Sequence, residues 1–194
     1  MILYHMSQTL KLGDELIADY QKNMKLVQPF IQALEQSVDC FYGMVLNAKY
    51  MCAVLTKFKL WEWSDYAKWA TEGAFEFIRR TEFPESYSRM ESNYFYDDLP
   101  NCKKLYEYDW SCESEEEQQK VHLFEVELED AVPQRCDMNI YDEAYNAMSE
   151  RQDVIFVLDC ARRYFAGENT AEPVWEIMSD KNAKAVKDIS EYIR

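Results

Sequence analysis

The chain is short of the residues that punctuate a backbone and of those that hold metals. Its 194 residues include Gly 4, Pro 5 and His 2. Two histidines cannot build a histidine-rich metal cluster. The six cysteines (Cys40, Cys52, Cys102, Cys112, Cys136 and Cys160) stand far apart with no C-x-x-C pair. Zinc is therefore not expected, and a secreted disulfide framework has little support. There is no Gly-rich phosphate loop and no G-x-S-x-G nucleophile elbow. No apolar run approaches the ~20 residues that span a bilayer, so no membrane association is expected. The first residues lack a basic region followed by a long apolar core, and no signal peptide is expected either. A cytoplasmic, reducing setting is the expectation.

Positive charge is also scarce. Lys+Arg number 21 against Asp+Glu 36, a formal net charge of −15. Such a field repels phosphate backbones and anionic lipid at long range. It argues against a general nucleic-acid coat, leaves open a local site acting on nucleic acid, and suits a basic protein partner. For a nucleic-acid-directed site the candidate cations are Lys103, Lys104, Arg79, Arg80 and Arg89.

What remains is a globular composition, 48% hydrophobic and 29% charged, with 15% aromatics. The length suits one domain, residues 1–194, with a helical insert over about 14–82. The apolar run Ile2-Leu3-Tyr4 leads to His5 and then Met6-Ser7, a first strand presenting an imidazole near its end. From Asp14 to about Phe58 apolar residues recur at three- and four-residue steps. Leu16, Ile17, Tyr20, Met24, Val27 and Ile31 open this stripe, and Leu34, Val38, Phe41, Val45 and Met51 continue it. Two or three helices are expected there, divided at Pro29 or Gly43. Trp61, Trp63, Tyr66 and Trp69 are expected to pack at a helix junction before a helix over Ala67–Arg80, ended by Phe83-Pro84.

The pattern then changes. Ser92–Tyr96 reads as a strand, Asn101–Tyr108 as a short helix, and Ser114–Gln119 as a solvated loop or helix start. Val121–Leu128 alternates as a strand, Tyr141–Phe165 reads as one long helix stopped by Gly167, and strands follow near Val174 and Lys184. Regular βαβ alternation is absent, so the expected class is α+β with a modest sheet and a large helical layer.

His5, the tyrosines Tyr94 and Tyr96, and Glu176 each fall on or beside an expected strand. Sheet edges can bring a histidine, a tyrosine and a carboxylate together from distant parts of a chain. Each also has a plainer reading: core packing for Tyr96, solvation for Glu176, a helix cap or turn for Asp137, and pairing with a surface carboxylate for Arg89. His122, within an expected strand, reads as structural.

Leu3-Tyr4-His5-Met6-Ser7 with Leu12-Gly13-Asp14 resembles the opening of rifampin-type ADP-ribosyltransferases. Asn93-Tyr94-Phe95-Tyr96, Asn101-Cys102 and Leu123-Phe124-Glu125-Val126-Glu127 are similar to their later strand, helix and "valine-glutamate" strand. Phe75–Arg79, Phe83-Pro84, Ser88-Arg89, Tyr164–Gly167 and Trp175-Glu176 resemble a related bacterial family of unknown function.

The resemblance implies a split β-sandwich that binds NAD as substrate, without metal, and transfers ADP-ribose with release of nicotinamide. By it, His5 would hydrogen-bond the adenosine ribose and Met6 would hold the nicotinamide amide. Tyr96, or else Tyr94, would stack on the nicotinamide ring, and Ser88 and Arg89 would meet the pyrophosphate. The catalytic carboxylate would be Glu176, with Asp137 as its rival. The acceptor, protein, nucleic acid or small molecule, stays open. The same resemblance suggests a toxin or phage-defence effector with a neutralising protein partner. The helical block has no counterpart in the compact enzymes and would be a lid, a recognition layer or an interface. The alternative is a non-catalytic protein-interaction module on the same fold.

Overall fold

The computed structural model describes residues 1–17, 21–55, 62–128 and 132–194. Tyr20, Phe58 and Trp61, named above as helix or junction residues, lie outside them. Two compact units emerge, each drawn from separate stretches of chain. The first comprises Met1–Asp19, Ser92–Arg135 and Val174–Arg194, and the second Tyr20–Glu91 and Cys136–Pro173. Strands and helices together make the protein α+β, as the pattern required.

The first unit is built on sheets. β1 (Ile2–Ser7), β4 (His122–Leu128), β7 (Ala183–Asp188) and β2 (Glu15–Leu16) form a four-stranded sheet in the order β1-β4-β7-β2. β3 (Asn93–Phe95), β6 (Trp175–Ser179) and β5 (Gln134–Asp137) form a second sheet in the order β3-β6-β5. The division between units falls within β5. One side of the strands closes a core of Leu3, Phe95, Phe124, Val126, Ile177 and Ala185. Burying each such Phe, Leu or Ile contributes about 1.5–3 kcal/mol. A second cluster lies under α4 (Leu99–Trp110), where Cys102, Tyr106 and Leu123 bury against Tyr4, Met6 and Tyr96. The acidic stretch after α4 is a helix, α5 (Glu115–Lys120), because the Ser114 hydroxyl accepts from the Glu117 N–H and caps it.

The second unit is helical: α1 (Gln21–Gln36), α2 (Val38–Leu55), α3 (Trp63–Glu82), α6 (Met138–Asn146) and α7 (Val154–Phe165). Four sequence expectations are corrected here and in β2. Helix does not begin at Asp14, since Glu15–Leu16 pairs with Ala183–Lys184 as β2. The break between the first two helices falls at Ser37, not at Pro29 or Gly43. The Ser37 hydroxyl accepts the Cys40 N–H at 3.0 Å and starts α2, while Pro29 sits inside α1. α3 begins at Trp63 rather than Ala67. The single helix expected over Tyr141–Phe165 is two helices. A π turn at Ala147–Arg151 ends on Gln152 in the left-handed region (φ 53°), and Asp153 then caps α7 through the Phe156 N–H. Gly167, at φ 75°, stops α7 where the sequence placed the stop.

Candidate functional site

The first unit holds five of the residues singled out by sequence: His5, Met6, Tyr94, Tyr96 and Glu176. Their arrangement begins with the ladder between β1 and β4. The terminal amine of Met1 donates to the Leu128 carbonyl, and the Leu128 N–H donates back to Met1, each at 3.0 Å. Antiparallel pairing alternates, so Leu3, His5 and Ser7 also turn their backbone groups toward β4. Ile2, Tyr4 and Met6 turn theirs away. Tyr4 uses its pair on Tyr96, donating at 2.8 Å and accepting at 2.9 Å. One pleat further on, the N–H and C=O of Met6 point the same way, outside the β1–β4 ladder, while its side chain packs in the cluster under α4.

The His5 ring leaves the other side of β1. It meets Phe95 edge-on with centroids 6.1 Å apart, and Nδ1 lies 2.9 Å from the Tyr94 carbonyl oxygen. A carbonyl only accepts, so Nδ1 carries the proton and Nε2 of the neutral ring is an acceptor. Burial pushes the imidazole below its ordinary 6.5, and the Tyr94 carbonyl opposes this only in part. The ring is therefore neutral at pH 7 and suited to receive a hydroxyl proton.

β3 and β6 pair in the register Tyr94↔Met178 and Phe95↔Ile177. Alternation puts Tyr94, Met178 and Glu176 on one face and Phe95 and Ile177 on the other, in the core with Leu3. Tyr94 is half-buried, and Glu176 is only 4% exposed. The His5 ring, against Phe95, lies on the opposite face of β3 from Glu176, and it reaches β3 through the Tyr94 backbone. Tyr96 is half-buried in the cluster under α4 with Tyr4 and Met6. Beside Glu176, the Trp175 ring carries the Arg135 guanidinium at 4.3 Å, and Arg135 pairs with Asp97 at 3.2 Å.

The other three residues belong to the second unit and sit in networks of its own. Arg89 is buried and holds Glu72 through Nε (3.0 Å) and Nη2 (3.3 Å), while Nη1 donates to the Tyr164 hydroxyl at 2.6 Å. Its guanidinium also lies 4.0 Å over the Tyr141 ring. This is the carboxylate pairing weighed for Arg89, with an interior partner rather than a surface one. Ser88 donates to Glu76 at 2.9 Å. The same buried carboxylate takes Arg79 through two bonds (2.9 and 2.8 Å) and Arg80 through one (2.7 Å). Burial would raise the Glu76 pKa, but the bonds from Arg79, Arg80 and Ser88 outweigh it and hold the carboxyl below its usual range. Asp137 ends β5 and caps α6. It accepts from the Asn139 N–H at 3.1 Å and from both the N–H and hydroxyl of Thr170 at 2.7 Å.

Sequence reading had not singled out Glu72 or Glu76. Their signal was two carboxylates four residues apart in the otherwise apolar run around Ala74 and Phe75, which helical geometry puts on one face. The basic candidates divide likewise. Arg79, Arg80 and Arg89 hold interior carboxylates, whereas Lys103 and Lys104 are exposed on α4.

His122 bonds Asp188 (3.0 Å) and Ser190 (3.2 Å), but both partners meet the same ring nitrogen, Nδ1. A nucleophile–base–acid relay needs both nitrogens, so this cluster ties β4 to the C-terminal turn. Among the described residues no group of His, Cys, Asp or Glu could hold a metal ion, and no helix is long and apolar enough to cross a membrane.

The chain belongs to a family described as protein of unknown function (DUF2441), whose sequence profile matches residues 3–191. No curated protein matches it.

Proposed function

We propose that this DUF2441 protein is an NAD-dependent ADP-ribosyltransferase whose nucleotide site lies in the first unit. The observation that carries the reading is the contact of His5 Nδ1 with the Tyr94 carbonyl. It leaves Nε2 as an acceptor and joins β1 to β3 through the Tyr94 backbone, with the ring on the face of β3 opposite Tyr94 and Glu176. A neutral acceptor suits a ribose hydroxyl and not a phosphate. The outward N–H and C=O of Met6 offer the donor–acceptor pair that a carboxamide such as nicotinamide matches. Two small sheets bridged at Tyr4–Tyr96 are compatible with a split β-sandwich.

In the proposed reaction the bond between nicotinamide and ribose breaks and its electron pair leaves with neutral nicotinamide. The ribose passes through an oxocarbenium-like state, and the acceptor nucleophile forms the new bond and loses its proton. Glu176 would stabilise the developing positive charge. The engagement of the Tyr96 ring in the cluster under α4 counts against its stacking role, and Tyr94 is the other candidate. The pairing of Arg89 with Glu72 counts against its pyrophosphate role, and Glu176 is kept as the carboxylate that the resemblance puts first, with Asp137 as its rival.

NAD should raise the melting temperature, since a ligand of the folded state stabilises it. Nicotinamide release with cell extract should fall in His5→Ala, Tyr94→Ala and Glu176→Gln. No thermal shift at millimolar NAD together with no release would instead favour the non-catalytic interaction module. That second reading is supported by the exposed apolar side chains of α2.

A further inference from the structure

The two histidines of the chain come to one face of one ladder. In the β1–β4 register His5 stands opposite Phe124, and Ser7 stands opposite His122. Residues opposite each other in an antiparallel pair share a face, as do residues two apart along a strand. His5, Ser7 and His122 therefore lie on the side of the sheet that buries Leu3, Phe124 and Val126, where its apolar surface ends. His5 and His122 are diagonal neighbours, about 7–8 Å apart at the backbone and within reach of ring side chains. All three belong to the first unit.

Both rings are held by the same nitrogen, from opposite sides. The strands run in the order β3, β1, β4, β7, since Tyr4 pairs with Tyr96 just beyond β3, and β4 lies between β1 and β7. His5 turns Nδ1 outward to the Tyr94 carbonyl of β3. His122 turns Nδ1 outward to Asp188, at the end of β7. Burial would raise the Asp188 pKa, but the bonds from Ser190 and His122 outweigh it and hold the carboxyl below its usual range. A carboxylate only accepts, so Nδ1 of His122 carries the proton, as Nδ1 of His5 does. The two nitrogens of an imidazole point in nearly opposite directions. With each Nδ1 fixed on the outer side, both Nε2 atoms look back toward the seam between β1 and β4. In the neutral rings both are acceptors, and among the described residues nothing donates to either.

Ser7 supplies the complement. Its Oγ accepts the N–H groups of Thr9 at 3.2 Å and Leu10 at 3.1 Å. What it has left to offer is its proton, and its contact with the Thr9 hydroxyl is a long 3.5 Å. The seam thus presents two acceptors and one donor. An ammonium or guanidinium group satisfies the acceptors but returns no lone pair to Ser7, and a phosphate dianion brings no donor. Two adjacent hydroxyls do both.

We propose that His5, Ser7 and His122 form a binding site for the vicinal diol of a nucleotide ribose, with Asp188 as the residue that positions His122. The proposal rests on the reading of His5 as a ribose acceptor and adds the other three residues to it.

Nitrogen NMR of the imidazoles in the full chain resolves two rings, one per histidine. At about pH 8, above the ordinary imidazole pKa, both should carry the proton on Nδ1. Millimolar NAD should shift the Nε2 signals of both rings. An NAD analogue lacking both hydroxyls of the adenosine ribose should shift neither. Asp188→Leu should move the His122 proton toward Nε2 and leave His5 as it is. By calorimetry, His122→Phe, which keeps a ring and loses the nitrogen, should weaken NAD binding about tenfold, the scale of one hydrogen bond. Ser7→Ala should weaken it too, and serves if His122→Phe fails to fold. A shift confined to His5, a proton on Nε2 of His122 in the wild type, or unchanged NAD affinity in the folded variants would overturn the proposal and leave the NAD reading standing. No binding of NAD at millimolar concentration would overturn both.

Discussion

The two units use polar groups in opposite ways. In the helical unit the buried charges are matched to one another. Glu72 and Tyr164 hold Arg89, Glu76 takes three side chains, and Asp137 takes three donors. In the sheet unit His5 is anchored by one nitrogen to a backbone carbonyl, and Met6 turns its backbone outside the ladder. The helical unit thus has charge arranged for stability. The sheet unit has a neutral ring held by a backbone carbonyl and, on the other face of β3, the buried carboxylate Glu176. The difference teaches that a buried charge is a weak pointer to function when its partners are all at hand.

That contrast can be broken from the helical side first. Arg89→Leu should cost the most, about 3–5 kcal/mol, because it strands Glu72 in the interior. Urea denaturation would measure it, and a loss below 1 kcal/mol would mean that the pair is not buried in solution. Gly73→Ala should come next, at about 1–3 kcal/mol. A Cβ there would lie 2.5 Å from the Cβ of Phe30, which cannot swing away.

The smallest effect is pH-dependent. The Glu76 carboxyl sits below its ordinary 4.5, so its contribution is fully present above that pH. It is lost as pH falls through the lowered value and Glu76 takes up a proton. Glu76→Gln should therefore be less stable than the wild type at pH 7, with the gap narrowing as the pH falls below 4.5. A pH-independent gap in thermal melts would contradict this account.

Alternation made β4 legible in the sequence, an apolar run marked β1, strands were also expected where β3, β6 and β7 lie, and Gly167 marked the end of α7. The cap at Asp137 was also readable as one of two alternatives. Other features needed tertiary context. β5 has no alternating pattern, and β2 is two residues long. Tyr141–Phe165 contains no Gly or Pro, so nothing in the sequence marks the break at Gln152. Pro29 looked like the divider of the first helical block, yet the Ser37 cap divides it. Arg89 was visible as a charge, but its partner lay in α3, and only the fold brings Glu72 to it.

The central claim is that the sheet unit carries the chemistry and the helical unit the stability. Single-turnover release of nicotinamide from NAD, compared between Glu176→Gln and Asp137→Asn, tests it most directly. The account predicts a loss of roughly 10²–10³-fold for Glu176→Gln, the size seen when one electrostatic stabiliser is removed. It predicts near-normal release for Asp137→Asn, with a lowered melting temperature. Full activity in Glu176→Gln with loss in a folded Asp137→Asn would contradict it and move the carboxylate role to Asp137.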